Sequence, residues 1–211
     1  MRHLNLEKFR AAKLETAPFL YVIVPGFLKQ DSVKAVNATF PAISKGGSFP
    51  LDSVNDTATI KAVIAELDGA EFEDAVAEKF GITLSGKPKM YSLRGHLRAR
   101  DGQIHTDSKD KIITVLLYLN DHWENSGGRL RLLKNGTDLE SYVAEVPPEN
   151  GNLLVFKRAE NSWHGHHPFE GPRRALQMNW MTDVRSRGLH ALRHQFSAVW
   201  KKLRTTQREH F

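Results

Sequence analysis

The sequence predicts a mostly β fold with flanking helices, and three observations along its 211 residues support this. Apolar residues recur at helical spacing up to about residue 84. From about residue 88 they fall in short extended segments separated by turn dipeptides such as Asp101-Gly102 and Asn135-Gly136. A last segment with apolar residues at helical spacing follows residue 185. Successive short strands are typical of a sandwich, a barrel or a jelly roll, and we expect the preceding helices to buttress one face of the sheets.

The N-terminal part, residues 1–84, is expected to form one strand and three helices. The apolar, β-branched run "FLYVIV" at residues 19–24 stops at Pro25 and indicates a buried strand. Its helices follow from apolar periodicity and from capping residues at their ends. The first begins at Asp31 or Ser32 and ends at Pro41, the second runs from Asn55 or Asp56 to about Gly69, the third ends at Gly81, and residues 46–56 form a loop.

The predicted core, residues 85–184, consists of seven short strands. They cover residues 89–99, 111–120, 128–133, 142–147, 152–157, 162–168 and 173–181. Residues 185–211 are predicted to form a basic amphipathic helix, whose apolar stripe is Leu189, Leu192, Phe196, Val199 and Leu203. We expect this helix to pack on its own domain, and the stripe would also suit a homodimer contact. The whole chain, residues 1–211, is therefore interpreted as one domain.

Charge and composition exclude several classes of protein. Residues 1–184 carry 23 basic and 23 acidic side chains, so the net charge of +6 belongs to residues 185–211. A neutral body argues against a nucleic-acid partner. The chain has no cysteine, which leaves histidine and carboxylate as its metal ligands. No apolar run is long enough for a membrane span and the N-terminus is polar, so we expect a cytoplasmic protein without a membrane partner.

The stretch "IHTDS" at residues 104–108 poses the main functional question. It is either a polar turn or the source of two metal ligands. The second is possible because His105 and Asp107 point to the same side of an extended segment. A third ligand could come from "SWHGHHP", which offers His164, His166 and His167. Two histidines and one carboxylate leave coordination positions open, and this suits ferrous iron that handles oxygen.

The order of the surrounding motifs supports the metal hypothesis. After His105 come a strand ending in "YLN", then Trp123 and "GGRL"; "PPENGNLLVFK" precedes the histidine cluster, and Pro168 and "PRR" follow it. This order resembles the prolyl-4-hydroxylase-like branch of the 2-oxoglutarate- and Fe(II)-dependent oxygenases over residues 85–182. The resemblance implies a double-stranded β-helix (jelly-roll) core, an Fe(II) cofactor, and 2-oxoglutarate and O2 as cosubstrates.

The resemblance also implies which residues bind the metal. His105 and Asp107 match the first two iron ligands. His164 matches the third, because it lies four residues before Pro168 as in the family's H-x-x-x-P. His166 would point to the same side as His164 and is a candidate to line the pocket, as is Thr114. His167 is expected on the opposite face.

A basic residue should bind the distal carboxylate of 2-oxoglutarate, since guanidinium binds carboxylate in a bidentate manner. Arg173 and Arg174 both have suitable spacing from His164. The family's arginine commonly precedes a tryptophan by six residues, which favours Arg174 and puts Trp180 on its strand face near the pocket. Arg173 is kept as the alternative. Tyr118 matches a family tyrosine that contacts the same carboxylate, although a core role would suit it equally.

The implied reaction couples oxidative decarboxylation of 2-oxoglutarate, to succinate and CO2, with hydroxylation of a C–H bond. Asp107 favours hydroxylation, because halogenating relatives lack a carboxylate at this position. The substrate would be a protein residue or a small metabolite, and no motif identifies it. Arg98 and Arg100 would either meet an acidic substrate at the entrance or lie in solvent. The alternatives are a non-catalytic metal- or ligand-binding jelly roll and an oxygenase that acts on nucleic acid.

Overall fold

The computed structural model describes residues 2–54 and 57–183. Within these ranges, two antiparallel sheets face each other and helices cover the outer face of the larger sheet. The helices are α1 (Leu6–Ala11), α2 (Gln30–Ala38), α3 (Ala58–Asp68) and α4 (Ala70–Phe80), with a 3-10 turn at Leu51–Ser53. The strands are β1 (Tyr21–Val24), β2 (Phe49–Pro50), β3 (Lys89–Leu97), β4 (Lys111–Tyr118), β5 (Leu130–Leu133), β6 (Tyr142–Val146), β7 (Leu153–Lys157), β8 (His164–Gly165) and β9 (Gly171–Met181).

The sheet topology is that of a jelly roll, which confirms the predicted fold class. The larger sheet has the order β1-β7-β4-β9-β3-β2 and the smaller one the order β6-β5-β8. All neighbouring strands are antiparallel. An isolated bridge between His105 and His164 adds the segment before β4 to the edge of the smaller sheet. Two segments that are far apart in the chain, at His105 and at His164, therefore meet at this edge. The predicted metal ligands lie there.

The larger sheet separates two apolar clusters. On its outer face Leu176, Met178 and Trp180 of β9 pack with the helices in one cluster. On its inner face Tyr118 and Ala175 pack against the smaller sheet in the other. Because side chains alternate along a strand, odd-numbered positions of β9 face inward and even-numbered positions face the helices. The helices thus buttress one face, as predicted.

The helices begin at slightly different residues from those predicted. Helix α3 begins at Ala58, because the Thr57 side chain accepts a hydrogen bond from the backbone N–H of Ile60 and caps it. Helix α2 begins at Gln30, one residue before the predicted cap. Helix α4 ends at Phe80, and the next residue is Gly81, whose φ of 61° is the left-handed conformation that glycine adopts readily. Helix α1 and strand β2 were not predicted, because neither is long enough to show a period.

Two of the predicted features concern residues that the structure does not describe. The amphipathic helix predicted at residues 185–211, and the dimer contact it would make, lie outside the described residues. The predicted helix start at Asn55 or Asp56 does so too. None of the helices within residues 2–54 and 57–183 is long and apolar enough to span a membrane.

Candidate functional site

His105, Asp107 and His164 converge at the edge of the smaller sheet. One ligand atom from each lies within 4.8 Å of those of the other two. The backbones of His105 and His164 exchange two hydrogen bonds of 3.0 Å, and the centroids of their rings are 4.3 Å apart. Asp107 follows two residues after His105 and is 8% exposed. The turn hypothesis for "IHTDS" accounts for none of this convergence.

Both histidine rings are oriented by backbone carbonyls. Nδ1 of His105 lies 2.8 Å from the carbonyl oxygen of Gln103, and Nδ1 of His164 lies 2.9 Å from that of Ser162. A carbonyl only accepts, so each Nδ1 carries the proton and each Nε2 keeps its lone pair for a metal. Burial lowers the pKa of His164 to about 4, and the ring is therefore neutral near pH 7.

The Asp107 carboxylate is ionised and held in place from both sides. Its Oδ1 accepts from the Lys111 ammonium at 2.7 Å, and its Oδ2 accepts from the Thr114 hydroxyl at 2.5 Å. Burial alone would raise the pKa of this carboxyl, but Lys111, His164 and these hydrogen bonds hold it well below its usual range. Two neutral imidazoles and one carboxylate form a donor set that fits Fe(II).

A cavity of about 270 Å³ extends from these three side chains between the two sheets. Its walls include the inward-facing residues Met90, Ser92 and Arg94 of β3, Thr114, Leu116 and Tyr118 of β4, and Arg173 and Gln177 of β9, together with Ser48, Lys111 and Leu130. Thr114 lies at the end of the cavity next to the triad, because its hydroxyl donates a hydrogen bond to Asp107. Tyr118, four residues further along β4, marks the opposite end, about 13 Å away along the strand.

The end of the cavity at Tyr118 is basic. Arg173 is 5% exposed; its Nε donates to the carbonyl oxygen of Gly128 at 2.7 Å, and its Nη2 lies 3.4 Å from the hydroxyl of Tyr118. The guanidinium carbon is 5.0 Å from the centroid of the Tyr118 ring. Burial raises the pKa of Tyr118, so its hydroxyl keeps a proton to donate. Arg94 lines the same end.

Arg174, the residue preferred for the cosubstrate carboxylate, does not line the cavity, because its side chain leaves the opposite face of β9. Its Nη1 donates to Asn37 Oδ1 at 2.6 Å and its guanidinium carbon lies 5.3 Å from the Phe40 ring centroid, both in the helical layer. Trp180 shares that face, where it packs 6.1 Å from the Phe72 ring centroid rather than near the cavity. The face of β9 that was expected near the pocket is therefore the face that the helices cover.

Of the remaining predicted residues, two line the cavity and two do not. Thr114 and Tyr118 line the cavity. His166 is buried but does not line it; its Nδ1 lies 2.8 Å from the carbonyl oxygen of His167, and its ring lies against Gly102. The ring of His167 points outward, with Nε2 2.7 Å from Glu140.

Sequence reasoning missed the contribution of β3. Arg98 and Arg100 were considered for the entrance, but Arg98 binds Asp101 and Arg100 is exposed. The residues of β3 that reach the cavity are Met90, Ser92 and Arg94. The available signal was their alternation within the predicted strand at residues 89–99, since one of its two faces had to line the interior of the jelly roll.

Comparison with protein families finds one match in the jelly-roll core. Residues 90–182, which run from β3 to the end of β9, match the model of the 2OG-Fe(II) oxygenase superfamily. The matched region contains all three candidate metal ligands. The cofactor of the chain is accordingly Fe(II), and its cosubstrates are 2-oxoglutarate and O2. No curated protein matches the sequence.

Solved structures of prolyl hydroxylases share the fold. A prolyl-4-hydroxylase from Pseudomonas putida is 18% identical, with a TM-score of 0.59 over 83% of this chain and 90% of that one. A prolyl 4-hydroxylase from Phytophthora capsici is 17% identical, with a TM-score of 0.56 over 87% and 68%. The viral collagen prolyl hydroxylase from Paramecium Bursaria Chlorella virus-1, in complex with 2OG, is 15% identical, with a TM-score of 0.53 over 77% and 96%. The chain therefore has the fold of the prolyl-4-hydroxylase-like branch.

Proposed function

We propose that this oxygenase is a hydroxylase in which His105, Asp107 and His164 bind Fe(II) and Arg173 with Tyr118 binds the distal carboxylate of 2-oxoglutarate. The observation that carries the proposal is that a metal-ligand triad and a buried arginine lie at opposite ends of one cavity. 2-Oxoglutarate has a 2-oxo acid group, which suits the metal ligands at one end, and a distal carboxylate, which suits the arginine at the other.

The reaction consumes one O2 and one 2-oxoglutarate for each hydroxyl group formed. One oxygen atom enters the substrate C–H bond, and the other enters succinate as CO2 leaves. The bound Fe(II) supplies the activation of O2. The protein residues hold the metal, orient 2-oxoglutarate through its distal carboxylate, and keep bulk water from the reacting centre with apolar walls such as Leu116 and Leu130.

The carboxylate of Asp107 supports hydroxylation in particular. It occupies the position that halogenating relatives leave free for chloride. Its two oxygens are oriented by Lys111 and Thr114, so the ligand is preorganised in a buried site. The organic substrate would be a peptide side chain or a small metabolite.

Succinate formation tests this proposal. The purified protein with Fe(II), ascorbate, O2 and 2-oxoglutarate should release succinate, slowly alone and faster with a substrate found by screening peptides and metabolites. Asp107→Ala should abolish release. Arg174→Met serves as a matched control, since it removes a cation outside the cavity. A protein that binds Fe(II) and 2-oxoglutarate but never releases succinate would instead be the non-catalytic binding module.

The interpretation of the chain as one domain is part of the same proposal. Residues 1–84 and the core at 85–184 contribute side chains to one apolar cluster, as far as the chain is described. A shared cluster supports cooperative folding of the two parts.

A further inference from the structure

Arg94 is a second cation at the basic end of the cavity, and it forms no salt bridge with a carboxylate in the described part of the chain. Its Nε is buried and forms no hydrogen bond. The side chain forms no hydrogen bond or ion pair with any of residues 2–54 and 57–183. Arg94 as a whole is half-buried and lines the cavity, so an anionic group of a ligand in the cavity could pair with its charge.

The register of the large sheet places Arg94 at the level of Tyr118. Arg94 on β3 lies opposite Ala175 on β9, and Ala175 lies opposite Tyr118 on β4. All three face inward. Arg173 is two residues before Ala175 on the same face, and its side chain reaches Tyr118. Arg94, Arg173 and Tyr118 thus surround the small side chain of Ala175 at one end of the cavity.

Nearby carboxylates form no salt bridge with the two arginines within the described residues. Asp101 is engaged by Arg98, with Nη2 to Oδ1 at 2.7 Å, and Asp107 is engaged by Lys111 at the same distance. Burial lowers the pKa of Arg94 and the positive charge of Arg173 lowers it further, while the charges of Asp101 and Asp107 act in the opposite direction. The basic end therefore carries two guanidinium groups, and both line the cavity.

We propose that Arg94 binds the distal carboxylate of 2-oxoglutarate together with Arg173, so that two guanidinium groups share one carboxylate. This rests on the proposed function and adds a residue from a different strand to the cosubstrate site. A carboxylate has two oxygens that accept several hydrogen bonds, and Tyr118 can donate a further one. Arg94 is thus a specificity residue that selects 2-oxo acids with a second acidic group.

Selectivity follows from the cost of leaving both cations unpaired. A 2-oxo acid with a methyl group in place of the distal carboxylate would bury the two guanidiniums without an anion. It would bind through the metal end alone. The interaction of Arg94 can therefore be measured from the ligand side, by comparing 2-oxoglutarate with 2-oxopentanoate, which has the same chain length and a methyl end.

The test is isothermal calorimetry of both ligands against anaerobic Fe(II)-loaded protein. Arg94→Met should weaken 2-oxoglutarate binding on the order of 10- to 100-fold and should not weaken the binding of 2-oxopentanoate, which leaves both guanidiniums unpaired in the wild type. Arg94→Lys, which keeps the charge but loses the planar fork, should lie between wild type and Arg94→Met. Arg100→Met is the matched control, because it removes an exposed cation near the same strand and should change neither affinity.

Thermal unfolding separates ligand binding from a structural role. Without ligand, Arg94→Met should melt no lower than the wild type, since it removes an unpaired cation; with 2-oxoglutarate its melting temperature should rise less. Equal 2-oxoglutarate affinity in Arg94→Met and wild type, or an equal loss for both ligands, would overturn the proposal. Failure of the Fe(II)-loaded wild type to bind 2-oxoglutarate would overturn the proposed function itself.

Discussion

At the residue scale, the set of side chains that line the site depends on the face of the strand from which each one projects. The convergence of His105, Asp107 and His164 was predictable, because an H-x-D pair and a downstream histidine are local patterns in the sequence. The choice between Arg173 and Arg174 was not. Alternation separates the two residues correctly, but it does not reveal which face of β9 points into the jelly roll. The helices decide that, through contacts distant in sequence.

The two neighbouring arginines form a matched pair for mutation. Arg173→Met should weaken 2-oxoglutarate binding about 30-fold or more, because it removes a buried guanidinium from the carboxylate. Arg174→Met should leave 2-oxoglutarate binding unchanged and lower the free energy of unfolding by about 1 kcal/mol, through loss of its hydrogen bond to Asn37. Anaerobic calorimetry and urea denaturation measure the two effects. The opposite pattern would reverse the assignment of faces.

Thr114 orients a metal ligand and should affect metal binding specifically. Thr114→Val keeps the shape of the side chain but removes the hydroxyl that donates to Asp107. We expect a 10- to 100-fold loss in Fe(II) affinity, the usual effect of removing a group that orients a ligand. Thr114→Ser should retain most of the affinity. If the valine and serine variants bind Fe(II) equally well, the hydroxyl does not position Asp107.

At the scale of elements, the turn before β5 connects the smaller sheet to Arg173, the proposed cosubstrate arginine. Gly128 has a φ of 75°, its carbonyl accepts from Arg173, and an added Cβ would lie 2.8 Å from the Trp123 ring. The sequence "GGRL" shows the turn as a motif. It does not show that the turn carbonyl holds Arg173, since the contact joins residues far apart in the chain.

Gly128→Ala should therefore weaken 2-oxoglutarate binding as well as lower stability. The positive φ alone costs about 1–2 kcal/mol for a residue with a side chain. Gly86→Ala is the control for that cost, because Gly86 has a φ of 73° and open space around it, away from the cavity. We expect both variants to unfold at lower urea concentration and only Gly128→Ala to lose 2-oxoglutarate affinity. Equal ligand affinities would show that the turn does not position Arg173.

At the scale of the whole molecule, the predicted fold class was right because helical and extended periods occupy separate parts of the sequence. Element bounds were less predictable: β2 has two residues and shows no period, yet it pairs with β3 beside the cavity. The helices and the large sheet share one apolar cluster, in which Phe72 of α4 lies against Trp180 of β9. The N-terminal helices therefore stabilise, from behind, the sheet that forms one wall of the cavity.

This shared cluster predicts a single unfolding transition. Phe72→Ala should lower the free energy of unfolding by about 3–5 kcal/mol, as is usual for a buried aromatic side chain. Circular dichroism of the helices and 2-oxoglutarate binding should be lost at the same urea concentration in both wild type and variant. Two separate transitions would contradict the interpretation of the chain as one domain.

The central claim is that three side chains bind one iron and that 2-oxoglutarate reaches it from the basic end of the same cavity. Its most direct test is an anaerobic visible spectrum of the Fe(II)-loaded protein, recorded as 2-oxoglutarate is added. We predict a weak charge-transfer band that saturates with 2-oxoglutarate, disappears in Asp107→Ala, and requires more 2-oxoglutarate in Arg173→Met. The absence of a band in the wild type, or a band of full intensity in Asp107→Ala, would contradict the claim.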